Sequence, residues 1–243
     1  MKLSVIVPVY NEEQTIGEIV ERIRAVDIGD IQKEIIIAND GSNDGTERVI
    51  NESPWRGDVR VQVHQSPINL GKGAAIRLGL RHATGDVVLI QDADLELDPG
   101  EYGALLAPIV AGRASVVYGS RFLRHERGRI RKRTRVANRL LTWLTNVLYG
   151  ARLTDMETGY KVFRREVVEG IRLRCVGFDF EPEFTAKVLL AGQRIAEVSI
   201  DYHPRREDEG KKISWTDGLD AVYVLIKCRL IGHAPPARRP GQS

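Results

Sequence analysis

The chain has 243 residues, 42% of them hydrophobic, enough for the core of one large α/β domain. Its 28% charged residues are ordinary for a soluble protein, and a net charge of +3 is too small to argue for nucleic acid. Cys175 and Cys228 stand far apart without metal-ligand spacing, and the five histidines include no H-x-x-x-H pair. The cysteines therefore read as reduced thiols, and zinc has little support.

In chain order, the first half alternates strand and helix. Leu3 to Val9 is a β-branched run that predicts a buried strand, too short for the hydrophobic region of a signal peptide. Thr15 to Val26 carries Ile16, Ile19, Val20 and Ile23 at helical spacing. Further strands are predicted at Glu34 to Ala38, Val59 to His64 and Asp86 to Gln91, with helices at Thr46 to Asn51 and Lys72 to His82. Continuous apolar strands of this kind suit a parallel sheet covered on both faces. Asn11, Asp40, Asn69 and Asp92 all fall just after strand ends, and ligands of open α/β sheets bind beyond the carboxyl ends of the strands.

Beyond Val116 to Arg121 the pattern changes. Arg124 to Arg135 is strongly basic and leads into Val136 to Tyr149, rich in Leu and containing Trp143. A helix from Glu183 to Leu190, a strand from Arg194 to Ile200 and an amphipathic helix from Trp215 to Ile231 follow, then a Pro- and Arg-rich tail read as disordered. No run reaches the ~18 apolar residues of a spanning helix. The expected organisation is one domain over 1–232, in two halves (1–121 and 122–232), with a disordered tail (233–243).

Four segments could carry chemistry. Asp92-Ala93-Asp94-Leu95-Glu96 follows an apolar strand, and two carboxylates one residue apart can share a hard cation completed by substrate phosphates. The same residues would also serve as an acidic loop before the helix near Pro99. Asp40 to Thr46 reads as a turn with a helix cap, although Asp40 stands where a nucleotide would lie. Asn69-Leu70-Gly71-Lys72-Gly73 opens a helix whose N–H groups and Lys72 suit an anion, or serve only as a structural helix start. The basic stretch is either a solvated charge run or, with its apolar neighbour, a match for an anionic membrane or lipid phosphate. RNA lacks the aromatic-stacking motif it would need.

As an ordered set, Pro8-Val9-Tyr10-Asn11-Glu12-Glu13, Asp40-Gly41-Ser42, Asn69-Leu70-Gly71-Lys72-Gly73, Asp92-Ala93-Asp94 and Gly119-Ser120-Arg121 resemble family 2 glycosyltransferases. The likeness spans about residues 2 to 230 and is strongest to dolichol-phosphate mannose synthases and bacterial polyprenyl-phosphate hexosyltransferases. It implies a GT-A (Rossmann-like) fold, a mixed and mainly parallel sheet flanked by helices, with a C-terminal amphipathic helix. It makes 1–121 the nucleotide-sugar half and 122–232 the acceptor half. It places Pro8, Tyr10, Glu12, Asp40, Lys72 and Asp92 at the donor, and Asp92, Asp94 and Glu96 at Mg²⁺ or Mn²⁺. Arg121 falls near the phosphates. Thr154 to Lys161 borders the sugar and acceptor pocket, and a loop carrying Arg205 and Lys211 closes over the phosphates.

The implied reaction is inverting transfer of a hexose from GDP-mannose or UDP-glucose to a polyprenyl phosphate, on the cytoplasmic face of a membrane. The enzyme would be peripheral there, with no nucleic-acid partner. Asp94, Arg121, Arg205 and Lys211 would stabilise the leaving diphosphate, and Arg131 and Arg135 would hold the acceptor phosphate. Two alternatives stand beside it. One is transfer to a soluble or polysaccharide hydroxyl with Asp179 or Glu181 as base, Asp179 being equally suited to capping the helix near Pro182. The other is a non-catalytic nucleotide-sugar or membrane-surface binding module.

Overall fold

A computed structural model describes residues 1–123, 132–204 and 215–232. The segments 124–131, 205–214 and 233–243 lie outside the described residues, and with them the expected roles of Arg131, Arg205 and Lys211 and the reading of the tail.

Seven strands form one sheet: β1 (Lys2–Val9), β2 (Gln32–Asn39), β3 (Val61–Gln65), β4 (Val87–Ile90), β5 (Val116–Ser120), β6 (Lys161–Arg164) and β7 (Ile195–Ser199). Their spatial order is β3-β2-β1-β4-β6-β5-β7. Every pairing is parallel except those of β6, which runs antiparallel between β4 and β5. The mixed, mainly parallel sheet is the expected one. Strand order reverses at β1, whose neighbours are β2 on one side and β4 on the other, so a ligand crevice opens beyond the carboxyl ends of β1 and β4.

Alternation along β1 explains the two layers. Leu3, Val5 and Val7 face one core with Ile16, Ile19 and Ile23 of α1 (Ile16–Ala25), while Ile6 faces the other with Ile76 of α3 (Lys72–His82). Helix α3 approaches closely because residue 79 is glycine, where a Cβ would lie 2.4 Å from Ile6 Cγ2. On the first face the short helix α2 (Thr46–Glu52) contributes Ile50, and α4 (Tyr102–Val110) contributes Tyr102, Leu105, Leu106 and Ile109.

On the second face lie α6 (Arg165–Glu169) and α7 (Phe180–Leu190), the latter starting three residues before the predicted helix. A third cluster joins α5 (Lys132–Tyr149), α7 and α8 (Trp215–Ile231) through Leu141, Met156, Ala186, Ala221 and Leu225. No helix among the described residues is long and apolar enough to cross a membrane.

The outer faces of α5 and α8 carry apolar stripes. Val136, Leu140, Trp143 and Val147 are spaced 4, 3 and 4 residues apart on α5, as are Leu219, Tyr223, Ile226 and Leu230 on α8, and all are exposed.

Candidate active site

The loops after β1 and β2 are knitted together at the crevice. Asn11 exchanges hydrogen bonds with Asn43, donating from Nδ2 at 2.8 Å and accepting the Asn43 N–H at 2.9 Å. The Glu12 N–H donates to Thr46 Oγ1 at 2.8 Å. Asn11 holds a left-handed backbone (φ 55°), which Asn tolerates better than most side chains. Pro8 is buried at the end of β1, with Tyr10 and Glu12 half-buried beyond it. Asp40 is buried and clamps the loop before α3, accepting the Leu70 N–H at 3.0 Å and the Gly71 N–H at 2.5 Å.

Of the two readings of the start of α3, anion site or structural helix start, the backbone hydrogen bonds favour the structural one. The N–H groups of Gly73 and Ala74 donate to the carbonyls of Gly177 and Val176 at 3.0 and 2.9 Å, so the protein itself occupies this helix end. Lys72 meets carboxylates instead of phosphates: its Nζ lies 2.8 Å from Asp92 Oδ1 and 2.9 Å from Glu181 Oε1. Burial lowers the pKa of this ammonium, but Asp92 and Glu181 more than offset it, and the pKa lies above the ordinary lysine value. Lys72 is thus a tie between the Asp92 turn and α7.

The Asp92–Glu96 turn emerges from β4 and is braced from beneath. Gln91 is fully buried, and its Oε1 accepts from the hydroxyls of Tyr102 and Tyr160 at 2.9 and 2.8 Å. Its Nε2 donates to the carbonyls of Asp92 and Leu97 at 3.1 and 3.3 Å. Leu95 has φ 61°, an uncommon and strained value for such a side chain, held by its surroundings. Asp94 Oδ1 accepts the Glu96 N–H at 3.1 Å.

Glu96, expected as a third metal ligand, accepts a hydrogen bond from the Tyr202 hydroxyl at 2.6 Å. No group of three or more His, Cys, Asp or Glu among the described residues forms a ready-made metal cage. Mg²⁺, however, is usually held by one or two carboxylates plus substrate phosphates, and the Asp92/Asp94 turn supplies that hard oxygen set.

Across the crevice, Arg121 follows β5 and grips Asp155 through a two-pronged contact, Nε to Oδ2 at 2.7 Å and Nη2 to Oδ1 at 2.8 Å. Asp155 is fully buried and also accepts from Asn138 Nδ2 of α5 at 2.6 Å. Burial would raise its pKa, yet Arg121, then Asn138, hold it below the ordinary aspartate value. The Arg121 guanidinium also lies 5.2 Å from the Tyr202 ring centroid, a cation–π distance.

The Thr154–Lys161 segment, expected to border the sugar pocket, abuts the acidic turn: a Cβ on Gly159 would lie 2.4 Å from Asp92 Oδ2. Asp179, offered as a base or helix cap, stands at the N-cap position of α7 without a side-chain cap hydrogen bond. Its Oδ1 accepts the N–H groups of Val176 and Gly177 at 3.0 and 2.7 Å, bracing the loop against the start of α3. Glu181 is buried and is linked to the Asp92 turn through Lys72. Arg135 is half-buried near the start of α5.

Sequence reasoning missed Gln91, Asn138 and the Lys72–Glu181 contact. The signal for Gln91 was a polar residue at the end of an otherwise apolar strand.

Comparison with known proteins places this geometry. The family model described as Glycosyl transferase family 2 matches residues 4–172. A dodecaprenyl-phosphate galacturonate synthase of Rhizobium johnstonii is 26% identical over 87% of this chain and 62% of its own length. A low-salt glycan biosynthesis hexosyltransferase of Haloferax volcanii is 31% identical over 92% of this chain and 53% of its own length. A dolichyl-phosphate beta-glucosyltransferase of Trichomonas vaginalis is 29% identical over 93% of this chain and 72% of its own length. The chain therefore spans about half to three-quarters of the length of these curated relatives.

Glucosyl-3-phosphoglycerate synthase of Mycobacterium tuberculosis, solved with Mn²⁺, UDP and glucosyl-3-phosphoglycerate, superposes with a TM-score of 0.72 at 22% identity, covering 96% of this chain and 81% of that one. This likeness shows the shared fold. With more than half its residues matched, the chain belongs to glycosyl transferase family 2.

Proposed function

We propose that the chain transfers a hexose from a nucleotide-sugar to a polyprenyl phosphate at a membrane surface, with Mg²⁺ or Mn²⁺ at the donor diphosphate. The observation carrying this reading is the Asp92/Asp94 turn: a pair of carboxylates at the β1/β4 switch point, braced from beneath by Gln91 and followed by the left-handed Leu95. Asp92 and Asp94 would hold the cation, which supplies charge neutralisation for a departing diphosphate. The relatives from R. johnstonii and T. vaginalis are named for dodecaprenyl and dolichyl phosphates, and their likeness supports the lipid acceptor.

The chain's own residues would do the remaining work. Lys72 fixes the Asp92 carboxylate and Asp155 fixes Arg121, so charged groups on both walls of the crevice are oriented before substrate arrives. A phosphate oxygen is already ionised near neutral pH, so the acceptor demands no strong base. This agrees with Asp179 being engaged by two backbone N–H groups.

The exposed stripes of α5 and α8, accompanied by Arg133, Arg139, Lys227 and Arg229 on exposed positions, suit peripheral contact with an anionic bilayer surface. GDP-mannose and UDP-glucose are the donors to try first.

The direct test is transfer of labelled hexose from each donor to polyprenyl phosphate in anionic vesicles, against a soluble sugar hydroxyl as competing acceptor. Label in the lipid fraction is the expected result. Label only on the soluble acceptor would replace the lipid reading with the hydroxyl one, and no transfer from any of a panel of nucleotide-hexoses beginning with these two would leave a binding module.

A further inference from the structure

Glu157 lies between two residues already tied to the site. Asp155 grips Arg121, and Gly159 abuts Asp92. Its backbone is stapled from below by Lys161, a fully buried lysine whose Nζ donates to the carbonyls of Met156 and Thr158, the residues on either side of Glu157. The same ammonium lies 4.5 Å from the Tyr118 ring centroid. Thr158 is pinned in turn, its hydroxyl donating to the Gly119 carbonyl. The carboxylate of Glu157 is therefore presented by a rigid turn.

That carboxylate is incompletely satisfied. Glu157 Oε1 is buried and has no hydrogen-bond partner among the described residues. Leaving a buried acceptor unpaired is costly, and such a group in a native site calls for an explanation. Burial, then repulsion from Glu181, pushes the Glu157 carboxyl up to about 7, the direction expected of an anion short of donors.

Cations in this wall are engaged elsewhere: Lys72 by Asp92 and Glu181, Arg121 by Asp155, Lys161 by backbone carbonyls. With Glu157 ionised, Asp92, Asp155, Glu157 and Glu181 outnumber Lys72, Lys161 and Arg121 by one charge. A ligand group that donates a hydrogen bond would complete Glu157. A second carboxylate would be repelled.

We propose that Glu157 is a specificity-determining residue on the sugar side of the donor site, accepting a hydroxyl of an uncharged hexose through Oε1 and disfavouring sugars that carry a carboxylate. This rests on the nucleotide-sugar reading above.

The test is calorimetric binding, with Mn²⁺, of UDP and GDP and of the matched pairs UDP-glucose/UDP-glucuronate and GDP-mannose/GDP-mannuronate. It compares wild type, Glu157→Gln and Glu157→Asp. In wild type the uncharged sugar of the pair whose nucleotide binds should be favoured about tenfold or more. Glu157→Gln should narrow that preference to about threefold or less while leaving the bare nucleoside diphosphate unchanged, and Glu157→Asp, which keeps the charge, should retain it. Equal wild-type affinity within the pair, or an undiminished preference in a Glu157→Gln protein that still binds the nucleotide, overturns the role of Glu157 alone. Failure of both nucleoside diphosphates to bind wild type overturns the donor reading beneath it.

Discussion

Replacing Lys72 with Met removes the cation shared by Asp92 and Glu181 and leaves two carboxylates facing each other in a poorly hydrated crevice. The two ion pairs that this breaks span 2.8 and 2.9 Å, and the side chains involved are only 17%, 21% and 7% exposed, so solvent screens them weakly. Removing one partner of a buried ion pair typically costs about 3–5 kcal/mol, mostly through the charge left uncompensated. At about 2–4 °C per kcal/mol for a chain of this size, Tm should fall by about 6–20 °C.

The sign of the pH dependence follows. In wild type the raised Lys72 pKa makes its contribution fully present below the ordinary lysine value of 10.5, so it stays constant from pH 5 to 9 and fades only above that value. In Lys72→Met the stranded carboxylates gain raised folded pKa values, so the deficit should shrink at pH 5 and grow at pH 8. Adding Glu181→Gln to Lys72→Met should recover part of the loss. Differential scanning calorimetry at both pH values is the assay. A Tm change under about 2 °C, or a deficit larger at pH 5, would refute the reasoning.

Three further outcomes are expected. Gly159→Ala should place a methyl 2.4 Å from Asp92 Oδ2, costing about 1–3 kcal/mol by denaturant melts and weakening nucleoside diphosphate binding, whereas Gly103→Ala, with open space around it, should do neither. Arg121→Lys should lose the forked grip on Asp155 and destabilise the fold by about 1–3 kcal/mol despite keeping the charge, as chemical denaturation would show. His64 stacks on His82 with centroids 3.5 Å apart, and burial, then His82, lowers its pKa below 6.5. The unfolded chain therefore takes up the proton first, and stability should fall as pH drops below about 6.5, an effect that His64→Gln removes from a Tm–pH profile.

Much of the donor half was legible because its physics is local. Strands β1, β2 and β4 each contain a short apolar run, α1 repeats its Ile and Val at helical spacing, and polar residues at the strand ends marked the crevice. The antiparallel strand β6 was hidden because it is four residues long and begins with Lys161, a residue type rarely buried, whose ammonium donates to carbonyls three and five residues back and lies over the Tyr118 ring.

Lys72 read as either an anion contact or part of a structural helix start, because its partners stand 20 and 109 residues away and no spacing rule reaches that far. The same holds for Arg121 and Asp155, 34 residues apart, and for the hydrogen bond from Tyr202 to Glu96, 106 residues apart. What the sequence conveyed was which strand ends converge. Which carboxylate meets which cation emerged only when the sheet brought them together.

The central claim is that the Asp92/Asp94 turn binds a donor diphosphate through a divalent cation. The measurement that meets it most directly is calorimetric titration of UDP and GDP into wild type and Asp94→Asn, with Mn²⁺ and with EDTA. The account predicts binding of at least one nucleoside diphosphate to wild type that needs Mn²⁺ and weakens about tenfold or more in Asp94→Asn. Binding that is indifferent to both the cation and the substitution would contradict it.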